Sequence, residues 1–287
     1  MTVFFLSDYG TEDEFVGVVH AVLASTSPGL TIIDLTHHVP AFDVRAGSHT
    51  LVRASPHLGP GVVLAVVDPG VGSDRRGLCL AVTPTGNGPT FFVGPDNGLL
   101  VAAAEQVGEA PIARAFELHR PTEVAEVAEV AELAKRGRTF DGRDLFAPAA
   151  AALCSGVAPE ELGDPIDPLS LVRLPGGVVE HGRWSDGRRC VRAEVLWIDH
   201  FGNIQLAATA VDAQMAELPR IGAVDVAIDR PDMHGTTVRR VEAFAELEPG
   251  ELGLLIDANG HLAVVAGGAP AARALRVVAG QMIVLTW

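Results

Sequence analysis

Val62-Val63-Leu64-Ala65-Val66-Val67-Asp68-Pro69-Gly70-Val71-Gly72-Ser73-Asp74-Arg75-Arg76 is the stretch on which the fold turns. Its first six residues are apolar and mostly β-branched, the pattern of a strand buried on both faces of a sheet. A carboxylate, Asp68, ends the run, and Pro69, Gly70 and Gly72 then turn the chain sharply. In an open α/β sheet ligands gather beyond the carboxyl ends of the strands, which puts Asp68 where chemistry is usually placed. Arg75 lies within reach of Asp68 across the tight loop. A carboxylate held beside a guanidinium stays ionised and orients water or a polar ligand. Read structurally, the same pair is a salt bridge that pins the turn, and this stretch alone does not separate the two.

Upstream, residues 3–6 are a short strand ending at Asp8. Thr11 with Glu14 three residues on predicts a capping box. Phe15, Val18, Val19, Val22 and Leu23 then recur at helical spacing until Ser27-Pro28. Asp8 and Asp13 flank this strand-to-helix turn, either as helix electrostatics or as carboxylates for hydroxyl and ammonium groups of a ligand. Residues 30–35 read as a strand and 43–54 as a helix, while the adjacent His37 and His38 point opposite ways on an extended chain and make a poor metal pair.

Downstream, residues 78–82 and 91–93 are further strands, and Gly94-Pro95-Asp96-Asn97-Gly98 is a sharp loop opening onto a helix at 99–106. This alternation predicts an α/β N-terminal domain, a mostly parallel sheet with helices on both faces. The Glu-Val-Ala triplets between Arg120 and Arg138 predict a short exposed helix, and Asp141, Arg143 and Asp144 crowd a loop ahead of an apolar helix at 145–154. The Pro- and Gly-rich stretch from Pro165 to Gly187 marks a boundary, giving domains at 1–170 and 190–287 with a linker at 171–189. Short strands at 191–198, 204–207, 223–228, 252–256, 261–265 and 282–285 predict a smaller all-β C-terminal domain, with Asp257-Ala258-Asn259-Gly260 as a hairpin turn. Its standout is Trp197-Ile198-Asp199-His200-Phe201-Gly202-Asn203, a strand ending in acid, imidazole, ring and amide.

The 287 residues are 48% hydrophobic and 20% charged, with a formal charge of −15, which argues against nucleic acid or an anionic membrane as partner. Three widely spaced cysteines give neither a disulfide framework nor a zinc site and suit a reducing compartment. The opening residues lack the basic region of a signal peptide, and no apolar run is long enough for a membrane span, so a cytoplasmic enzyme is expected. There is no P-loop, GxGxxG, GxSxG, HExxH or metal-spaced cluster, which argues against a nucleoside triphosphate, a Rossmann cofactor, a serine nucleophile or a metal centre.

Five motifs occur in order along nearly the whole chain: Ser7-Asp8-Tyr9-Gly10 with Asp13, Val67 to Gly72 with Arg75, Gly94 to Gly98, Thr139-Phe140-Asp141-Gly142-Arg143-Asp144, and Ile198 to Asn203. Together they resemble the S-adenosyl-L-methionine (SAM) hydroxide adenosyltransferases, relatives of fluorinase and chlorinase. The resemblance implies attack of water or hydroxide on the ribose C5′ of SAM, giving adenosine and L-methionine, with SAM as substrate and no cofactor or metal. It implies a homotrimer with SAM between the N-terminal domain of one subunit and the C-terminal domain of its neighbour. By the same resemblance Asp68, Arg75 and Asp141 are catalytic, Asp8 holds the ribose hydroxyls, and Asp13 and Asp199 take the methionine ammonium. Asn203 reads the adenine edge, Phe42 and Phe244 pack on the ligand, and the backbone at Gly268 completes the adenine pocket. Asp141 departs from the family, which has His there; Arg75 or Arg143 would offset its charge, and a SAM- or adenosine-binding protein that lost turnover is the alternative reading. Ala258-Asn259 replaces the Ser-Arg pair that fluorinase uses for the methionine carboxylate. Retention of Asp68 and Arg75 argues against a halogenase, since a buried carboxylate repels a halide.

Overall fold

Among the described residues, apolar runs divided by turn residues become seven strands in an N-terminal unit, Met1–Leu174. They are β1 (Thr2–Ser7), β2 (Thr31–Thr36), β3 (Gly61–Val66), β4 (Gly77–Val82), β5 (Thr90–Pro95), β6 (Arg114–Leu118) and β7 (Gly163–Ile166). The computed structural model describes residues 1–86, 88–120, 137–183, 187–228 and 235–287; the exposed helix expected after Arg120 lies outside the described residues.

The strand order is β2-β1-β3-β5-β4-β6-β7. Pairing is parallel from β2 through β5 and antiparallel from β5 across β4, β6 and β7. The sheet is therefore mixed, not mostly parallel as the alternation predicted. A parallel return needs a crossover of a dozen or more residues, and the described residues between β4 and β5 form no helix, so these two strands pair as a hairpin.

Helices cover both faces. α1 (Phe15–Thr26), α2 (Val44–Ala54), α3 (Val101–Gly108) and α4 (Ala147–Cys154) follow in chain order. α1 and α4 set Val19, Leu23, Ala150 and Leu153 against Val3, Phe5, Val62, Leu64 and Val66. The alternate residues of β3, Val63 and Ala65, face the other way and are equally buried, on the side where α2 and α3 pack together. Each such aliphatic side chain contributes about 1.5–3 kcal/mol on burial, which is why the run at 62–67 becomes a central strand.

The expected capping box at Thr11 does not form: α1 begins at Phe15, and Glu14 at its N-cap makes no side-chain cap bond. Gly10, at φ +69°, instead donates its N–H to the His37 carbonyl at 2.7 Å, so a tertiary bond holds this turn. α2 is capped as its sequence suggests, Asp43 accepting from the Ala46 N–H at 2.9 Å.

Among its described residues, the C-terminal unit, Pro175–Trp287, is all-β apart from the short helices Ala210–Met215 and Ala271–Leu275 and a 3-10 turn at Phe244–Glu246. Its strands are β8 (Val179–Arg183), β9 (Arg189–Ile198), β10 (Ile204–Thr209), β11 (Gly222–Ile228), β12 (Thr236–Arg240), β13 (Leu252–Ile256), β14 (His261–Ala266) and β15 (Met282–Thr286). The order β10-β14-β13-β12-β11-β15-β9 closes on itself through β9–β10, making a seven-stranded barrel in which only β12–β13 is parallel. Closure removes free sheet edges. β8, inside the stretch read as linker, pairs on the outside with β9. The Asp257–Gly260 turn joins β13 to β14 as expected, Asp257 accepting from the N–H groups of Asn259 and His261.

Candidate active site

The loop after β3 is held from several sides. Asn97 Nδ2 donates to the Val67 carbonyl at 2.8 Å, just before Asp68. Gly72 has φ +81°, and a Cβ there would stand 2.6 Å from the Arg138 carbonyl, so only glycine allows this approach. The neighbouring arginines diverge. Arg76 donates through Nε (2.9 Å) and Nη2 (2.5 Å) to Asp96 Oδ2, while Asp96 Oδ1 accepts from the Val172 N–H at 3.0 Å. The Gly94–Gly98 motif is thus a bracket for the arginine loop.

Arg75 turns the other way. Its Nη2 donates to Asp68 Oδ2 at 2.5 Å and to Asp141 Oδ2 at 2.6 Å. Arg120 Nη1 reaches Asp141 Oδ2 at 3.3 Å and its Nη2 donates to the Arg75 carbonyl at 3.3 Å. The side chains of Asp68, Arg75 and Asp141 are 5%, 8% and 7% exposed, so two carboxylates and two guanidinium groups balance in a nearly dry setting. Arg143, the other cation offered for Asp141, is instead paired with Asp144 at 2.7 Å.

Asp68 Oδ1 is buried and has no well-aligned hydrogen-bond partner, with the Gly70 N–H beside the carboxylate. Burial pushes the Asp68 carboxyl above its ordinary range; Arg75 pulls it down and the charge of Asp141 pushes it up again. Burial, with the charges of Asp8, Asp68 and Asp141, raises the Tyr9 phenol far above its usual value and keeps it protonated. Tyr9 packs over Gly142, where a Cβ would lie 2.1 Å from its hydroxyl, and its ring meets those of Phe15 and Phe140 at 5.7 Å each.

A cleft of about 250 Å³ opens above this cluster, lined by Asp8, Tyr9, Phe42, Asp68, Phe140 and Asp141 among others. Asp8 Oδ2 accepts the Phe42 N–H at 2.8 Å. Phe42 adopts φ +67°, a rare conformation for a bulky residue, and is 72% exposed. Acidic oxygens beside apolar rings suit a small cationic ligand carrying hydroxyls. Asp13 is exposed in the turn before α1 and does not line the cleft.

In the C-terminal unit a separate cleft of about 430 Å³ is lined by Phe201, Asn203, Phe244, Gly268 and Pro270. Asp199, just past β9, lies outside that lining. Its Oδ1 accepts from the N–H groups of Phe201 and Asn203 at 2.9 Å each, and its Oδ2 from Asn203 Nδ2 at 2.8 Å, so it holds the turn that presents Asn203. Ala258 and Asn259 line neither cleft.

Three residues of the N-terminal cluster were not singled out from sequence: Tyr9, Phe140 and Arg120. The first two sit inside quoted motifs. Arg120 carries no local signal and reaches Arg75 only because β6 pairs with β4.

The sequence signature of the SAM hydroxide adenosyltransferase N-terminal domain matches residues 3–163, and that of the C-terminal domain matches residues 193–284. The chain belongs to the SAM hydroxide adenosyltransferase family. It is 42% identical over 282 residues to the (R)-S-adenosyl-L-methionine hydrolase of Salinispora arenicola, covering 98% of this chain and 96% of the relative. The (R)-S-adenosyl-L-methionine hydrolase of Thermus thermophilus is 43% identical over 202 residues, 70% of this chain and 72% of the relative. A fluorinase of an Actinoplanes species is more distant, 24% identical with 98% and 96% covered. The crystal structure of an uncharacterized conserved protein from Thermotoga maritima superposes with a TM-score of 0.81 at 31% identity, over 99% of both chains. Both family domains thus coincide with the mixed sheet and the barrel described above.

Proposed function

We propose that the protein hydrolyses S-adenosyl-L-methionine, water or hydroxide attacking ribose C5′ to give adenosine and L-methionine. A C5′–O bond forms as the C5′–S bond breaks, and its electron pair neutralises the sulfonium. The departing thioether needs no general acid, so the protein has only to hold an oxygen nucleophile in line and keep it polarised. The observation that carries this reading is the buried Asp68–Arg75–Asp141 cluster at the floor of the cleft.

In this reading Asp68, through its buried Oδ1, which has no well-aligned partner in the fold, takes the proton of the attacking water. Arg75 holds Asp68 and Asp141 in place, and Arg120 supplies the second cation that an aspartate at position 141 requires. Asp8 keeps an oxygen for the ribose hydroxyls while the other fixes Phe42 against the ligand. Asn203, Phe244 and Gly268 are proposed for adenine, and Asp13 and Asp199, which lie outside both cleft linings, for the methionine ammonium where linings of neighbouring subunits meet. No cofactor takes part, and the setting is the cytoplasm; among the described residues no helix is long and apolar enough to cross a membrane. The protein works as a homotrimer in which the N-terminal unit of one subunit and the C-terminal unit of its neighbour supply the two linings.

The test is a halide-free incubation of purified protein with SAM in water enriched in heavy oxygen, read by chromatography and mass spectrometry. Adenosine labelled at the 5′-hydroxyl, equal in amount to methionine, is expected. Intact SAM, or adenosine without label, would refute direct attack at C5′.

A further inference from the structure

Near the end of β1, but outside the cleft lining, side chains from three segments converge. His20 on α1 and His37 after β2 both aim Nε2 at one oxygen, Oδ1 of Asp34 on β2, at 2.9 and 3.1 Å. The three donor atoms lie within 4.8 Å of one another. His37 is 5% exposed, and Ser7 Oγ engages its Nδ1 at 2.8 Å. Its buried Nε2 faces Asp34 Oδ1 as an ion-pair contact and not as a well-aligned hydrogen bond. The Phe5 ring, edge-on at 4.6 Å, fixes the imidazole plane.

An imidazole nitrogen that meets a carboxylate in poor alignment leaves the lone pairs of both open to a cation shared between them. Two imidazoles and a carboxylate are the ligands of a borderline divalent metal. Ligands about 2.0–2.1 Å from a common centre lie roughly 3.0–3.4 Å apart, close to the 2.9 and 3.1 Å at which the two imidazoles meet Asp34. His20 and Asp34 are partly exposed, which gives an ion a path from solvent and leaves room for water as a further ligand.

We propose that Nε2 of His20, Nε2 of His37 and the carboxylate of Asp34 bind one divalent metal ion of the zinc class. The Ser7 hydroxyl on Nδ1 is the outer contact that fixes a ligating imidazole. The ion joins α1, β2 and the loop that follows to the segment carrying Asp8, because Ser7 adjoins Asp8 and Gly10 donates to the His37 carbonyl. Asp34 and His37 are three residues apart, whereas His20 lies fourteen residues before Asp34 and joins them only through the fold. The site is independent of the proposed hydrolysis, as none of its ligands lines the cleft.

The test uses untagged full-length protein, stripped with a chelator and titrated with Co²⁺, with Zn²⁺ as competitor. One equivalent of Co²⁺ with visible d–d bands is expected, displaced by Zn²⁺, and saturating Zn²⁺ should raise the melting temperature by several degrees. His20→Gln and Asp34→Asn, both at accessible positions, should each weaken binding at least about 10-fold while the metal-free protein melts as the parent does. Absence of stoichiometric binding overturns the proposal. So does undiminished binding in both variants, which would assign the metal to other histidines.

Discussion

β3 runs into Asp68 and β9 runs into Asp199, and each aspartate opens a glycine-containing turn. Asp199 spends both oxygens on its own turn, accepting two backbone N–H groups and an amide. Asp68 spends one oxygen on a guanidinium and keeps the other buried without a well-aligned hydrogen bond. The first arrangement stabilises a loop. The second stores an unmet acceptor beside a cleft, which is costly for folding and useful for chemistry. Position at a strand end is therefore a weak guide to function until the partners of the carboxylate are known.

The sharpest way to break this contrast is kinetic. Asp68→Asn keeps the shape but removes the base, and adenosine formation should fall by about 10²–10⁴-fold. Asp199→Ala, in the same chromatographic assay, should act mainly on KM and leave kcat within about 10-fold. Comparable losses of kcat in both would erase the distinction. Next in size is stability. Arg75→Met leaves Asp68 and Asp141 facing each other in a buried site and should cost about 3–5 kcal/mol in urea denaturation, partly recovered by adding Asp141→Asn. Asp199→Ala should cost less, about 1–3 kcal/mol, from backbone donors left unmet in one turn. The smallest effect is on pH. Because the Asp68 carboxyl is raised, activity should decline on acidification at a pH above the ordinary carboxylate range, and loss of Arg75 should move that limb higher. Stability has its own sign: a carboxyl whose folded value is raised favours the fold while protonated, a contribution lost as pH rises from the unfolded value through the folded one.

Much of the N-terminal unit was legible because buried strands leave uninterrupted apolar runs, as at residues 62–67, and because glycines mark the loops between them. The direction of β4 was not, since strand polarity depends on what connects the strands and not on their own residues. β8 and β12 escaped notice because Val179–Arg183 and Thr236–Arg240 are polar strands with no apolar run. Asp8, Phe42, Asp68 and Asp141 meet in one cleft, and Asn203, Phe244 and Gly268 in the other. Asp8, Asp68, Asp141 and Asn203 stand in motifs with local turn signals, whereas Phe42, Phe244 and Gly268 stand in none and follow only from the family resemblance. Arg120 and the His20–Asp34–His37 cluster arise from packing between segments, which no local pattern encodes.

The bracket formed by Arg76 and Asp96 bears on how this molecule can be divided for study. The N-terminal family signature stops at residue 163, yet Arg76 also donates to Ser170 and Asp96 accepts from Val172. A cut at 163 deletes both of these partners, leaving the Arg76–Asp96 pair without the segment it anchors. The natural place to separate the halves is after Leu174, where the first unit ends.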